Sequence, residues 1–269
     1  MNSKNDTYPK TVNNGHIYTA KIIKANALLS DSKLFISQWE PQLSTEENIK
    51  NAIEYNIFGK SSRTFTKNII HIFKNRFIFG DDQDNALRVI IKSNVESTII
   101  DRILYYYTMC SDPLLYDFVA QYLYNSVQIG DTLITTNKAE KYFKKLSDEG
   151  KTNSKWSDIV CNRVARNVLT TLRDFHILEG KVKKYIAPTY LPLESFVYIA
   201  YLINRKSPGG ERVLNHNDWK LFLLNSKEVE RLFLEAHQRG FLTYYAAGSI
   251  IRITFKQKDI VEVANDIIQ

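Results

Sequence analysis

The sequence predicts a mainly α-helical protein, a helical bundle with helix-turn-helix and winged-helix-like units and short β-hairpin wings. Three observations lead there. Ten Gly and six Pro in 269 residues are few for a β-rich chain with many turns. The apolar positions recur at helical spacing over most of the chain. The net charge of +7 is concentrated in two segments. Residues 60–76 hold Lys60, Arg63, Lys67, Lys74 and Arg76 with no acid, a net of +5. Residues 151–190 hold eight cations against Asp158, Asp174 and Glu179, again +5, so everything else sums to −3. Charge this local points to two surfaces that meet a polyanion.

The bulk composition sets the class. A content of 44% hydrophobic and 24% charged residues is that of a globular protein, with disorder expected only at the tails. The 16 Tyr and 14 Phe are expected to fill helix–helix contacts. Cys110 and Cys161 stand far apart, in neither a metal-ligand spacing nor a secreted framework, and read as small apolar core groups in a reducing cytoplasm. The start, MNSKNDTYPK, is polar and lacks the apolar stretch of a signal peptide. The longest apolar run, Phe196 to Ile203, is eight residues, far short of the roughly 20 that a membrane span needs. A cytoplasmic location with no membrane partner follows as an expectation.

Four stretches are expected: a helical helix-turn-helix domain (1–80), a helical connecting body (81–130), a winged-helix-like unit (131–190) and a C-terminal helix plus β-hairpin unit (191–269). Residues 1–15 read as a frayed lead-in. Two short helices follow between His16 and Gln38, broken near Ser30-Asp31. Ser44 with Glu46 and Glu47 starts a helix that runs to about Ile57. After the Phe58-Gly59-Lys60 turn, Ser61 and Ser62 cap a second helix to about Phe77. On a helical wheel Arg63, Lys67 and Lys74 fall within about 40° of one another, while Phe65, Ile69, Ile72, Phe73 and Phe77 take the adjoining arc and are expected to pack inward. The residues expected to lead into a groove are Ser61, Ser62, Arg63, Thr64 and Lys67. A solvated basic helix face gives the same pattern.

Residues 85–129 read as helical throughout, with Asp112-Pro113 starting a fresh helix. Gly80-Asp81-Asp82-Gln83-Asp84 reads as loop plus helix start, since it lacks the ligand ladder of a calcium loop. In the second basic segment, Thr136–Leu146 reads as a helix, and Ser154 as the cap of another running from about Lys155 to Phe175. Its inward face would be Cys161, Val164, Ala165, Val168, Leu172 and Phe175. Its outward face would be Asn162, Arg163, Arg166, Asn167, Thr170 and Arg173, residue types that contact phosphates and base edges. A Gly-containing basic hairpin follows, in which Lys181, Lys183 and Lys184 would reach backbone phosphate. Further on, Leu193–Asn204 reads as an apolar helix, Ser207–Gly210 as a flexible loop, and Asn217 as the start of a short helix. Ser226 reads as the cap of a helix ending at Gly240, and Phe241–Tyr245 with Ser249–Phe255 as a hairpin of mixed charge suited to packing or partner contact.

Catalytic motifs are missing from the pattern. There is no glycine-rich phosphate loop, paired-histidine metal site or nucleophile elbow. Glu149-Gly-Lys151 and Glu179-Gly-Lys181, with Asp131 upstream, fit the Glu-x-Lys triplet of some nucleases, but at a helix end and a wing turn, where convergence on one cation is not expected. Neither an enzymatic activity nor a cofactor or metal is expected.

The segments NIFGKSSRTFTKNIIHIFKNRF (56–77), SDPLLYDFV (111–119), VARNVLTTLRDFHIL (164–178) and WKLFLLNS (219–226) together resemble the BrxA family of BREX bacteriophage-defence systems. The resemblance implies a small, mainly helical, cytoplasmic protein with winged-helix-like units, able to bind double-stranded DNA, without enzymatic activity, and working beside other BREX components. Relatives tend to carry Gly where this chain has His176, so a positive φ is expected there, which His tolerates better than most residues. The function expected is a double-stranded-DNA-binding component of such a system. The alternative is a scaffold whose basic helices dock acidic protein partners. RNA is a further possible ligand, behind DNA.

Overall fold

The computed structural model describes residues 17–24, 26–188, 190–248 and 250–269. The expected lead-in over 1–15, together with His16 and Ser249, lies outside the described residues. The fold is mainly helical, with two small antiparallel sheets. In chain order, a 3₁₀ turn (Lys21–Lys24) precedes α1 (Leu29–Ser37), α2 (Thr45–Glu54), α3 (Arg63–Phe77), α4 (Asp82–Lys92) and α5 (Ser97–Cys110). Then α6 (Pro113–Asp117) passes through a π-helical stretch (Phe118–Leu123) into α7 (Tyr124–Gln128). Strand β1 (Leu133–Ile134), α8 (Thr136–Asp148), α9 (Asp158–Asp174), β2 (Leu178–Glu179) and β3 (Lys184–Ile186) come next. The remainder is α10 (Leu193–Lys206), α11 (Gly210–Leu214), a 3₁₀ helix (Asn217–Phe222), α12 (Ser226–Gln238), β4 (Leu242–Ala247), β5 (Ile250–Phe255) and α13 (Ile260–Ile267).

Close contacts group these elements into two units. One comprises the chain up to Leu28 with Tyr107–Pro188, and the other Leu29–Tyr106 with the chain from Thr189. In the first unit, Phe118, Tyr122, Tyr142 and Phe143 form a ring cluster with centroids 5.0–5.4 Å apart. Three strands lie in the order β1-β3-β2, with Ile134 opposite Lys184 and Glu179 opposite Tyr185. Tyr18 ties the entering segment to this unit. Its backbone exchanges hydrogen bonds with Lys151 and Asn153, and its hydroxyl donates to Asp117 at 2.5 Å.

The second unit has several aromatic clusters. Phe35, Trp39, Phe58, Phe73 and Phe77 hold α1 and α3 together. Phe196 stacks on Trp219 at 4.8 Å and meets Phe233 edge-on at 4.7 Å, and Phe233 stacks on Tyr244 of β4. The buried polar ends are satisfied: Tyr105 donates to the Leu221 carbonyl and Trp219 Nε1 to the Val213 carbonyl, each at 2.7 Å.

Several boundaries differ from the sequence reading, each for a local reason. The break near the start falls before α1, at Leu28 with φ +49°, and Ser30 and Asp31 lie inside that helix. Helix α2 has the expected capping box of Ser44 with Glu47 but stops at Glu54, because Asn56 turns to φ +43° and its amide holds both the N–H and the carbonyl of Lys60. Residues 85–129 are not helical throughout: Ser93, bonded to the Ile90 carbonyl, ends α4. Helix α9 starts three residues late, capped by Ser157, because Trp156 is buried and donates its backbone N–H to Ser147. Asn225, not Ser226, caps α12, in a box with Glu228. The Ser207–Gly210 loop is less free than expected. Gly210 opens α11, and a Cβ there would stand 2.2 Å from the Ile251 carbonyl oxygen. Phe65, expected inward, is 42% exposed, and Ile72 is half-buried. Helix α13 was not foreseen.

The expected positive φ at His176 is present, at +57°. The His176 N–H bonds the Arg173 carbonyl and the Ile177 N–H the Leu172 carbonyl, which closes α9 as a Schellman motif. A glycine relieves the left-handed strain without losing either bond. His176→Gly is therefore expected to stabilise the first unit by about 0.5–1 kcal/mol, and His176→Val to destabilise it by about 1 kcal/mol, read by thermal or urea unfolding.

Candidate nucleic-acid interface

Helix α9 is the centre of the strongest site. Its inward side chains Cys161, Val164, Ala165, Val168, Leu169 and Leu172 are almost fully buried, and α8 is its main neighbour. That burial fixes the rotation of the helix and sends the opposite face to solvent. Arg163 and Arg166 are exposed there and make no ion pair among the described residues; Thr170 between them and Arg173 is half-buried. The other expected contacts are partly engaged. Asn162 donates to Glu140 of α8 at 2.7 Å, Asn167 to the Arg163 carbonyl at 2.7 Å, and Arg173 pairs with Asp174 at 2.9 Å.

Two acids of this unit are paired with lysines. Asp158, in the first turn of α9, takes the Lys144 ammonium at 2.6 Å and holds it above its usual pKa range. Glu149 accepts Lys151 at 2.7 Å. Such exposed pairs add little stability, and each offsets one negative charge.

The β2–β3 hairpin stands next in sequence. Lys181, Val182 and Lys183 form its tip, and Val182 is 90% exposed. Lys184 does not join them, contrary to expectation. It faces Ile134 across the β1–β3 pair, and Ile134 is fully buried. Strand alternation therefore turns Lys184 inward, to 8% exposure, while Tyr185 points out. Its ammonium donates to the Lys181 carbonyl at 3.1 Å. Burial, with Arg173 nearby, pushes its pKa down.

The first basic segment lies in the second unit. Ser62 caps α3 by accepting from the Phe65 N–H. Ser61, Arg63 and Lys67 are exposed, Lys74 is half-buried, and no acid lies on this helix. Lys60 is spent on Asp31 at 3.0 Å, and Arg76 is buried. Thr64, Asn68, His71 and Asn75 extend the same face.

Residues 16–203 match the BrxA family. The chain belongs to the BrxA family. Membership ties it to BREX phage defence and to the other BREX components as partners. The BrxA match takes in both basic segments and stops inside α10, so α11–α13 and the β4–β5 hairpin lie beyond it. No curated protein matches the chain. The Glu-x-Lys triplets of this BrxA-family chain hold their acids apart: Glu149 is engaged by Lys151, and Asp131 by Lys138 at 2.7 Å. No three metal-ligating side chains converge among the described residues, and no described helix is long and apolar enough to cross a membrane.

Sequence reasoning overlooked two features of the interface. Strand β1 has only two residues, too short for a periodicity signal. Ile159 is 74% exposed in the first turn of α9. Its spacing of four and seven from Arg163 and Arg166 was the available sign that it shares their stripe.

The wing depends on Gly180, which stands at φ +94° with its would-be Cβ 2.2 Å from the Lys183 carbonyl oxygen. Gly130, in the same unit, has φ +73° but open space around it. Gly130→Ala is expected to cost about 1 kcal/mol from the left-handed conformation alone. Gly180→Ala must also move backbone and is expected to cost at least about 3 kcal/mol. Unfolding of the two variants side by side separates strain from steric exclusion.

Proposed function

We propose that this chain is a non-enzymatic, cytoplasmic, double-stranded-DNA-binding component of its BREX system, largely indifferent to sequence. The observation that carries the reading is one arrangement in the first unit. Helix, strand, two helices, strand, wing and strand follow in that order, with the sheet ordered β1-β3-β2. This order supports the winged-helix reading, in which the second of the two consecutive helices bears Arg163 and Arg166, without an ion pair among the described residues, on its open face. In DNA readers of the helix-turn-helix type that helix enters the major groove. Lys181 and Lys183 at the wing tip then reach phosphate, which carries affinity rather than sequence information. The acid-free face of α3, with Arg63, Lys67 and Lys74, is a second surface of the same chemistry.

A protein-docking role rests on other residues. Tyr245 and Ile250 are exposed on the β4–β5 hairpin, beyond the family match. The deciding experiment is fluorescence anisotropy with a duplex of about 30 base pairs between roughly 50 and 300 mM salt. Affinity is expected to fall log-linearly with salt. Arg163→Glu with Arg166→Glu should weaken binding roughly tenfold or more and flatten the slope by about two. Lys184→Met should change neither. No binding at the lowest salt defeats the proposal, and an unchanged slope in the double variant defeats the α9 assignment. Duplex RNA that competes as well as DNA would point away from major-groove entry, because side chains cannot read the narrow RNA major groove.

A further inference from the structure

We propose that Ile159 reads the C5-methyl group of thymine and gives the interface a built-in preference for thymine over bases lacking that methyl. The inference rests on the DNA-binding reading of α9. Ile159, Arg163, Arg166 and Thr170 follow one another at steps of four, three and four residues, which is one stripe along the helix. The stripe points away from the core, since Cys161, Val164, Ala165, Val168 and Leu169 are buried on the other side. Ile159 is the large apolar side chain of α9 that is left open, at 74% exposure, while Leu169 and Leu172 are almost fully covered.

Its position matters as much as its exposure. It lies in the first turn, and the N-terminal residues of a recognition helix are those that meet base edges. Two neighbours bear on that approach. Asp158 beside it is exposed but paired with Lys144 at 2.6 Å, which offsets its charge. Arg163, one turn on, has no ion pair among the described residues and is available to phosphate or guanine. An aliphatic side chain has no hydrogen bond to offer, so the feature of the major-groove floor that it can recognise is the thymine methyl, the apolar group of the base-pair code. Burying one methyl contributes about 0.8 kcal/mol, which is about a fourfold difference in affinity.

The test uses an alternating A·T duplex of about 20 base pairs and the same duplex with every thymine replaced by deoxyuridine, which removes only the methyl. The full chain is expected to bind the thymine duplex about fourfold more tightly. Ile159→Ala, on an exposed position that leaves the core untouched, should erase the difference, and Ile159→Val should keep most of it. Equal binding of the two duplexes by the unaltered protein overturns this inference and leaves the DNA-binding reading standing. A thymine preference that survives Ile159→Ala overturns the assignment to this residue. Binding to neither duplex overturns both readings.

Discussion

The first unit depends on one constraint: the buried face of α9 admits a single rotation of the helix. Cys161, Val164, Ala165, Val168 and Leu172 are almost completely covered, and turning the helix by one residue would expose several of them while burying Arg163 or Arg166. Exposing two aliphatic side chains costs about 3–6 kcal/mol, and an unpaired guanidinium resists burial more strongly still. The ends of the helix are fixed as firmly. Ser157 accepts the Val160 N–H at the start, and His176 and Ile177 close the last turn. The orientation of the arginine stripe is thus a by-product of core packing, so the stripe needs no support of its own.

Charge is arranged around that stripe by pairing rather than by composition alone. The segment 151–190 carries three acids, but Asp158 and Asp174 are taken by Lys144 and Arg173. What remains open is Arg163, Arg166, Lys181 and Lys183, with Lys155 before the helix, against the exposed acid Glu179. Exposed pairs of this kind are each worth at most about 1 kcal/mol to folding. Their larger effect is on the field near the helix, where a free carboxylate would repel phosphate within a Debye length of about 8 Å at physiological salt. Net charge by segment misassigns individual cations. Lys184 counts toward the total, yet strand register turns it into the interior.

What the sequence made legible was what local chemistry decides. The Ser44 capping box, the Ser62 cap and Pro113 in the first turn of α6 are encoded within a few residues, and they stand where the reading put them. The apolar faces of α3 and α9 were legible from spacing, apart from the ends. Features set by distant contacts were not legible. Ser154 is as good a cap as Ser157 on chemistry alone, and the choice falls to Ser157 because Trp156 must be buried. Phe65 has the spacing of a core residue, yet the packed ring cluster of α1 and α3 uses Phe73 and Phe77 and leaves it open. The two-residue β1 exists because β3 offers it an edge, which its own sequence cannot announce.

The two basic helices share a charge pattern but differ in what surrounds them. Helix α9 is followed by a hairpin whose tip carries two open lysines and whose turn admits no Cβ at Gly180. Helix α3 is followed by Ile78 in extended backbone and then by the acidic Asp81, Asp82 and Asp84. Arg205 engages Asp81 and Asp82, at 3.3 and 2.7 Å, and Asp84 accepts the Phe79 and Gly80 N–H groups. The acids that follow α3 are thus committed to structure, and its basic face ends where they begin. In the proposed DNA-binding role, α9 with its wing would position a duplex, and α3, which is followed by no such wing, would add affinity without adding register.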